Sequence, residues 1–520
     1  MGCGPAAPQG LKRPAAWIAL CAAGVFALLA TPRLGAQGVY MDEVFQASGA
    51  LACIGRTPFY PPGAQWGRLP LMTMGYLGAL KSLLYGQWIR LAGFDIVSWR
   101  IFGIAAVSLA LLAFMWLSLP ALRPRGGLAF ALLFLTDTTV LLTTRHDWGP
   151  VAIALAYRLA WLGLWLRASE RGAASTAEAI LLGALPGLLL WEKLHYAIFL
   201  PAAAAMLLAS PAVRVRWRAL IAGGVLGALP LLLINAFFRL LSFRGVVAEH
   251  APRSLASFSH YALDMLALGA GYGARSFILG SVPPEGLGNA EAALLAAALV
   301  AAGALSWRAR RDDPRARWSL ACLGAYLSQV VLLYLVPRDI WVHHWIAPTP
   351  FQYAAVALSP LVQRPRPAPA LLLVPWLCVR LWSAGDTQRS LWKGDASGSY
   401  HPARTTIARY AAAHARDTLF VVAEWGFSLQ MDVFSQGRAL MVEPSAAPDP
   451  RQALDAALRA AHDRPHYYLV WDALQPRVEW PATGATRRAA AELARRELPL
   501  DAELAGIPGV RKFENPYASH

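Results

Sequence analysis

Charge and cysteine are what this sequence has least of. Charged residues make up only 15% of its 520 positions, against roughly 25% in a soluble chain, which excludes an ordinary water-soluble globule. The five cysteines, at positions 3, 21, 53, 322 and 378, are scattered, and four lie in or beside apolar segments. Their spacing makes neither a disulfide framework nor a zinc site. Internal repeats and low-complexity tracts are missing too, apart from a proline-rich turn at 364–369. The first apolar block follows Lys12 and Arg13 but has no clean small-residue cleavage site, so it reads as an uncleaved helix and not a signal peptide. Met1-Gly2-Cys3 invites an acylation reading, yet Ala6 lacks the hydroxyl that the myristoylation pattern wants.

What is present is apolar, at 57% of the chain. Runs long enough to cross a hydrocarbon core as helix, about 17–25 residues, lie near 15–31, 97–120, 127–143, 149–166, 177–191, 194–210, 219–238, 288–306, 318–336, 345–362 and 368–382. Inside lipid every backbone polar group must be bonded within its own segment, so these runs are helices. The expected fold is an α-helical polytopic membrane protein with about 11 transmembrane helices. Residues 1–383 form the membrane domain and residues 384–520 a small soluble α/β domain. In that tail 418–425, 438–444 and 466–474 read as strands; 405–415, 450–462 and 486–498 read as amphipathic helices.

The net charge of +16 does not imply nucleic acid, because the basic residues sit in membrane loops. Arg123, Arg125, Arg167, Arg171, Arg214, Arg216, Arg218 and the cluster at 308–317 follow even-numbered spans. The positive-inside rule makes those loops cytoplasmic, with the N-terminus. The C-terminal domain then lies outside, in the periplasm of a bacterium whose inner membrane holds the chain. Residues 69–92 could be counted as a further span, but Lys81 would then sit near mid-membrane at a cost of about 2.5–3.5 kcal/mol. They read instead as an amphipathic helix on the outer face.

Ionisable groups gather on that same face. Asp42 and Glu43 follow the first span; Arg145, His146 and Asp147 lie between the third and fourth. Glu192, Lys193 and His195 separate the fifth and sixth, and Arg338, Asp339, His343 and His344 the ninth and tenth. Taken singly, most of these have a bland explanation as loop ion pairs or interfacial residues. Together they suit attack on an anionic, lipid-linked donor. A carboxylate takes a proton from an acceptor hydroxyl, and Arg or Lys holds the phosphate leaving group. A second carboxylate or a histidine could hold a divalent cation with the same task.

The order of these motifs resembles the GT-C class of membrane glycosyltransferases, in particular the protein-mannosyltransferase and aminoarabinose-transferase-like branch. VYMDEVFQASGALACIGRTPF is similar to the first outer loop of that class, and RLPLMTMGYLGALKSLLYG to its juxtamembrane helix, with Arg68, Leu69 and Pro70 where Lys and two prolines are usual. TTRHDWGP, LLLWEKLHYAIFLP and HHWIAPTPF resemble the motifs of three later outer loops. The resemblance implies Asp42 as catalytic base with Glu43 beside it and Asp147 as second acid, Arg145 being the companion of Asp147. Arg145, Lys193, His343 and His344 become candidates for the donor phosphate. Asp137, Arg68 and Glu192 are second-tier positions. A divalent cation (Mg, Mn or Zn) is compatible with the class. The implied partners are the bilayer, a polyprenyl-phosphate-linked sugar and a glycan, lipid or protein acceptor. The alternative is a flippase for lipid-linked glycans, against which stand the boundary position of the charges and the lack of repeats.

Overall fold

The computed structural model describes residues 12–56, 64–67, 69–244, 254–336, 341–364, 367–424, 426–471, 473 and 481–518. The first helices are α1 (Lys12–Ala30), α2 (Met41–Cys53), α3 (Leu80–Ala92), α4 (Ile96–Leu135), α5 (Thr138–Arg145), α6 (Val151–Arg171) and α7 (Thr176–Glu192). α4 is a hairpin. Between Pro120 and Pro124, Arg123 takes a left-handed φ of 57°, and the chain doubles back so that the Phe114 and Phe130 rings lie 4.3 Å apart. A straight helix would separate them by about 24 Å.

Among the described residues, five helices are long and apolar enough to cross a membrane: α4, α6, Trp217–Phe237, Gly286–Ala309 and Pro314–Leu335. Several other predicted spans are shorter or broken. The run 127–143 is interrupted at Asp137, whose carboxylate caps α5 by accepting from Val140 N at 2.8 Å. The runs 177–191 and 194–210 part where expected, at Lys193, whose extended backbone ends α7. α7 packs on Trp217–Phe237 through glycine. A Cβ on Gly183 would lie 2.0 Å from Leu220 O, and one on Gly227 2.1 Å from Ala184 O. Small residues let two apolar backbones meet where lipid supplies no hydrophobic drive.

The segment 69–92 is only partly helical, which corrects the single helix expected there. Gln65–Trp66 (β1) pairs with Leu69–Pro70 (β2) and Met72–Met74 (β3) with Leu77–Gly78 (β4), both antiparallel; only α3 is helix. Pro70 has no N–H for a helical ladder. Gly78 lies against Trp191 O, which a Cβ would approach to 2.1 Å.

The last apolar helix, Pro367–Lys393, runs on past residue 384. Beyond it a five-stranded sheet has the order β6-β5-β7-β9-β8. Leu419–Val422 (β5) runs parallel to Leu440–Val442 (β6) and His466–Val470 (β7). Val510–Glu514 (β9) lies antiparallel to β7 and to Glu497–Leu498 (β8). Strands β8 and β9 have no counterpart in the sequence reading, and β8 takes the end of the helix expected at 486–498. The domain is fastened to the first loop of the membrane part. Gly38 N donates to Tyr400 O at 2.6 Å, Val39 N to Thr405 Oγ1 at 3.1 Å and Gln430 Nε2 to Val39 O at 2.8 Å.

Candidate active site

Asp42 and Glu43 occupy the first turn of α2, where the helix dipole favours negative charge. Adjacent positions on a helix of 3.6 residues per turn point about 100° apart, and the two acids have different surroundings. Glu43 is fully buried and meets Arg100 of α4 at 2.9 Å through both oxygens. Arg100 also donates to Leu34 O, Gln37 O and Gly38 O, at 2.5, 3.0 and 2.8 Å. One guanidinium therefore gathers the whole loop 34–43. Asp42 is half-buried and accepts a 2.9 Å hydrogen bond from Trp148 Nε1. Burial pushes its carboxyl above the usual carboxylate range, against the Trp148 hydrogen bond and the charges of Lys193 and Lys81.

Asp147 sits in the turn between α5 and α6 with a left-handed φ of 47°. Its partner is Lys81 of α3, at 2.9 Å with both side chains buried; Tyr85 Oη donates to the same oxygen. Lys81 Nζ also donates to Gly149 O at 2.5 Å, and its backbone N–H donates to Glu192 Oε2 at 2.9 Å. Arg145, the expected companion of Asp147, turns elsewhere. It donates to Ala30 O, Arg33 O and Gln37 Oε1 at 2.7, 3.0 and 2.9 Å, so it braces the first loop.

Lys193, His195, His343 and His344 do come together. Lys193 Nζ lies 2.5 Å from His344 Nε2. The His344 ring is 3.9 Å from that of His343 and stacks on His195 at 5.3 Å. His343 in turn packs on Trp148 at 4.7 Å. Burial first, then the neighbouring Lys193 and histidines, push both His343 and His344 well below the ordinary imidazole range, so the rings stay neutral. A continuous wall thus leads from the Asp42 carboxylate through Trp148 and His343 to the Lys193 ammonium.

Asp137 is remote from that wall. Besides capping α5 it accepts from Tyr353 Oη and lies 3.6 Å from Arg380, which is itself paired with Glu291 at 2.9 Å. Arg68, Arg338 and Asp339 fall outside the described residues. Five contributors were not among the candidate site residues read from the sequence: Lys81, Tyr85, Arg100, Trp148 and Tyr400. Arg100 carried a signal, being a charge inside an apolar run. Tyr400 carried none; it reaches the site from beyond the last apolar helix, its ring 5.5 Å from Tyr40 and 5.0 Å from His146. Among the described residues no three His, Cys, Asp or Glu side chains are grouped to hold a metal ion, and Lys81 and Arg100 already pair with Asp147 and Glu43.

No protein-family model and no curated protein matches the chain. Solved structures do. ArnT from Cupriavidus metallidurans bound to undecaprenyl phosphate is 12% identical, with a TM-score of 0.58 over 97% of this chain and 98% of that one. The apo state of that protein gives 13% and 0.50 over the same shares. The archaeal oligosaccharyltransferase AglB from Archaeoglobus fulgidus, in complex with an inhibitory peptide and a dolichol-phosphate, is 11% identical, with a TM-score of 0.50 over 89% of this chain and 70% of that one. A helical membrane body carrying a C-terminal sheet domain is thus the fold this chain shares with ArnT.

Proposed function

We propose that this protein is an inverting glycosyltransferase that moves a sugar, hexosyl or pentosyl, from a polyprenyl-phosphate donor to a hydroxyl of a glycan, lipid or protein acceptor. The observation that carries the reading is the wall from Asp42 to Lys193: a half-buried carboxylate at one end, an ammonium against neutral imidazoles at the other. The neighbours with this fold were solved with undecaprenyl phosphate and dolichol-phosphate, which supports a lipid phosphate as the donor's leaving group. The wall belongs to the face opposite the basic loops, so the reaction takes place outside the cytoplasm, in the inner membrane of a bacterium. The N-terminus is then cytoplasmic and the C-terminal domain periplasmic.

In this reading the acceptor oxygen attacks the anomeric carbon while the bond from that carbon to the phosphate oxygen breaks. The electron pair leaves with the lipid phosphate, and the hydroxyl proton passes to Asp42. The raised affinity of Asp42 for a proton, caused by its burial, makes it a stronger base than an exposed aspartate. Trp148 fixes its orientation, and the Lys193 ammonium offsets the charge on the departing phosphate, to which the neutral imidazoles can offer ring N–H bonds. Arg100 holds Glu43 and the loop that presents Asp42, which makes Glu43 a positioning residue. Lys81 and Tyr85 hold Asp147 in the same way.

The test is transfer from synthetic lipid-phosphate sugars to acceptors in detergent, where no membrane separates compartments. Glycoside formed by the wild type and lost in Asp42→Asn is the expected result. A wild type that makes no glycoside across a panel of donors, while moving donor lipid across proteoliposomes, would overturn the proposal in favour of a flippase.

A further inference from the structure

Two residues set the position of the Asp42 carboxylate: Tyr40, the N-cap of α2, and Trp148, whose indole donates to it. Both rings belong to one aromatic group. Trp148 stacks on Phe277 with centroids 4.5 Å apart, and Tyr40 meets Phe277 edge-on at 5.1 Å. A residue from beyond the last apolar helix closes the group. Tyr400 is fully buried and packs on His146 at 5.0 Å, Tyr40 at 5.5 Å, Phe277 at 6.0 Å and Trp148 at 6.4 Å.

The backbone around Tyr400 is pinned on both sides. Its carbonyl accepts from Gly38 N at 2.6 Å, and Ser397 N donates to Ile278 O at 3.0 Å. Gln37 Nε2 donates to Asp395 O at 3.0 Å. A Cβ on Gly38 would stand 2.1 Å from His401 O, so the two segments pass as closely as glycine allows. The hydroxyl adds nothing to this fit, because Tyr400 Oη is buried without a hydrogen-bond partner. An unsatisfied buried hydroxyl is a cost; what the position uses is the ring.

We propose that Tyr400 is a positioning residue: its ring, delivered by the C-terminal domain, holds Tyr40 and Trp148 in the arrangement that orients Asp42. The domain thereby takes part in transfer without touching the reacting atoms. Aromatic neighbours settle into preferred edge and offset contacts, so losing one ring lets the others reorient. Misplacing a reacting group by about 1 Å costs on the order of a hundredfold in rate. The role rests on the proposed function, but the state of Asp42 can be read without transfer.

The experiment compares the full-length wild type, Tyr400→Leu, Tyr400→Phe and Trp148→Phe in detergent. One readout is transfer from the synthetic donor. The other is labelling of Asp42 by a carbodiimide, which attacks protonated carboxyls, followed across pH by peptide mass spectrometry. Tyr400→Leu should lower kcat by about ten- to hundredfold with KM for the donor little changed, and Tyr400→Phe should restore most of the loss. Trp148→Phe removes a hydrogen bond that favours the ionised carboxylate, so its labelling midpoint moves to higher pH. Tyr400→Leu should move the same way, since the charges of Lys193 and Lys81 that face Asp42 are unaltered. Tyr400→Met also lacks the ring and serves if the leucine variant does not fold. A ringless variant with a loss confined to KM, or with wild-type kcat and midpoint, overturns the inference and leaves the transferase reading standing. A Tyr400→Phe protein as impaired as Tyr400→Leu overturns it too, because the hydroxyl would then be the working group. A midpoint shifted in Tyr400→Leu, with no glycoside from the wild type, keeps the positioning of Asp42 and removes the transferase reading.

Discussion

Glu43 and Arg100 face each other through two parallel hydrogen bonds, each 2.9 Å long, with both side chains fully buried. The same guanidinium donates to the carbonyls of Leu34, Gln37 and Gly38, so the pair ties α4 to the loop that carries Asp42. Breaking one side of such a buried pair costs about 3–5 kcal/mol, because the other charge is left uncompensated. Glu43→Gln and Arg100→Met should each lower the unfolding midpoint in detergent and the yield of folded protein. Activity per folded molecule should fall less than in Asp42→Asn. A Glu43→Gln protein of normal stability and no activity would instead give Glu43 a chemical role.

Asp42→Asn should reduce transfer by about 10²–10⁴-fold, the usual contribution of a general base, with thermal stability near that of the wild type. Because burial raises the Asp42 carboxyl and the base works deprotonated, kcat/KM should rise with pH through a midpoint above the ordinary carboxylate range. The charges of Lys193 and Lys81 oppose the effect of burial, so Lys193→Met should move the acid limb to still higher pH. A limb that stays in place would mean that another group limits the rate.

Lys81 and Asp147 make the second buried pair, at 2.9 Å. Lys81→Met should destabilise by about 3–5 kcal/mol for the same reason as above. Adding Asp147→Asn should recover part of that loss, since it removes the stranded charge. Combining Arg145→Met with Asp147→Asn should show no such recovery, because Arg145 bonds to residues 30, 33 and 37 and not to Asp147. Unfolding midpoints of the single and double variants check this as a double-mutant cycle.

Asp432 in the C-terminal domain offers a pH test of folding. Its Oδ2 is buried without a hydrogen-bond partner, and burial pushes the carboxyl from 3.8 up to about 6. The folded state then binds more protons than the unfolded state between those values, so this group's contribution declines as pH rises through the window. The difference amounts to about 3 kcal/mol at most. Asp432→Asn should flatten the stability profile between about pH 4 and 6. An unchanged profile would show that Asp432 titrates normally.

Close packing of α7 on Trp217–Phe237 predicts intolerance of any side chain. Gly183→Val and Gly227→Val should each force the helices apart, since a Cβ would come within 2.0 and 2.1 Å of a backbone oxygen. Overpacking of this kind costs about 1–3 kcal/mol or more. Gly24 has open space within 4 Å of where a Cβ would stand and should accept alanine without loss. Comparing unfolding midpoints separates the two cases.

The membrane character, the helical body and the α/β tail follow from the sequence alone, because apolar run length and strand or helix periodicity are local properties that the bilayer and the backbone read directly. So does the collection of Asp42, Asp147, Lys193, His343 and His344, since each lies at the edge of an apolar run and the basic loops orient those edges. Partner choice was not legible. Asp147 stands two residues from Arg145 yet pairs with Lys81, 66 positions earlier, and Glu43 pairs with Arg100 inside an apolar run. A turn with a left-handed residue at Asp147 rotates its carboxylate away from its sequence neighbour, and only the packing of α3 against α4 brings Lys81 within reach. The arrival of Tyr400 beside Tyr40 is of the same kind. Ion pairs and ring contacts form between elements far apart in the chain, so their geometry exists only once those elements have packed.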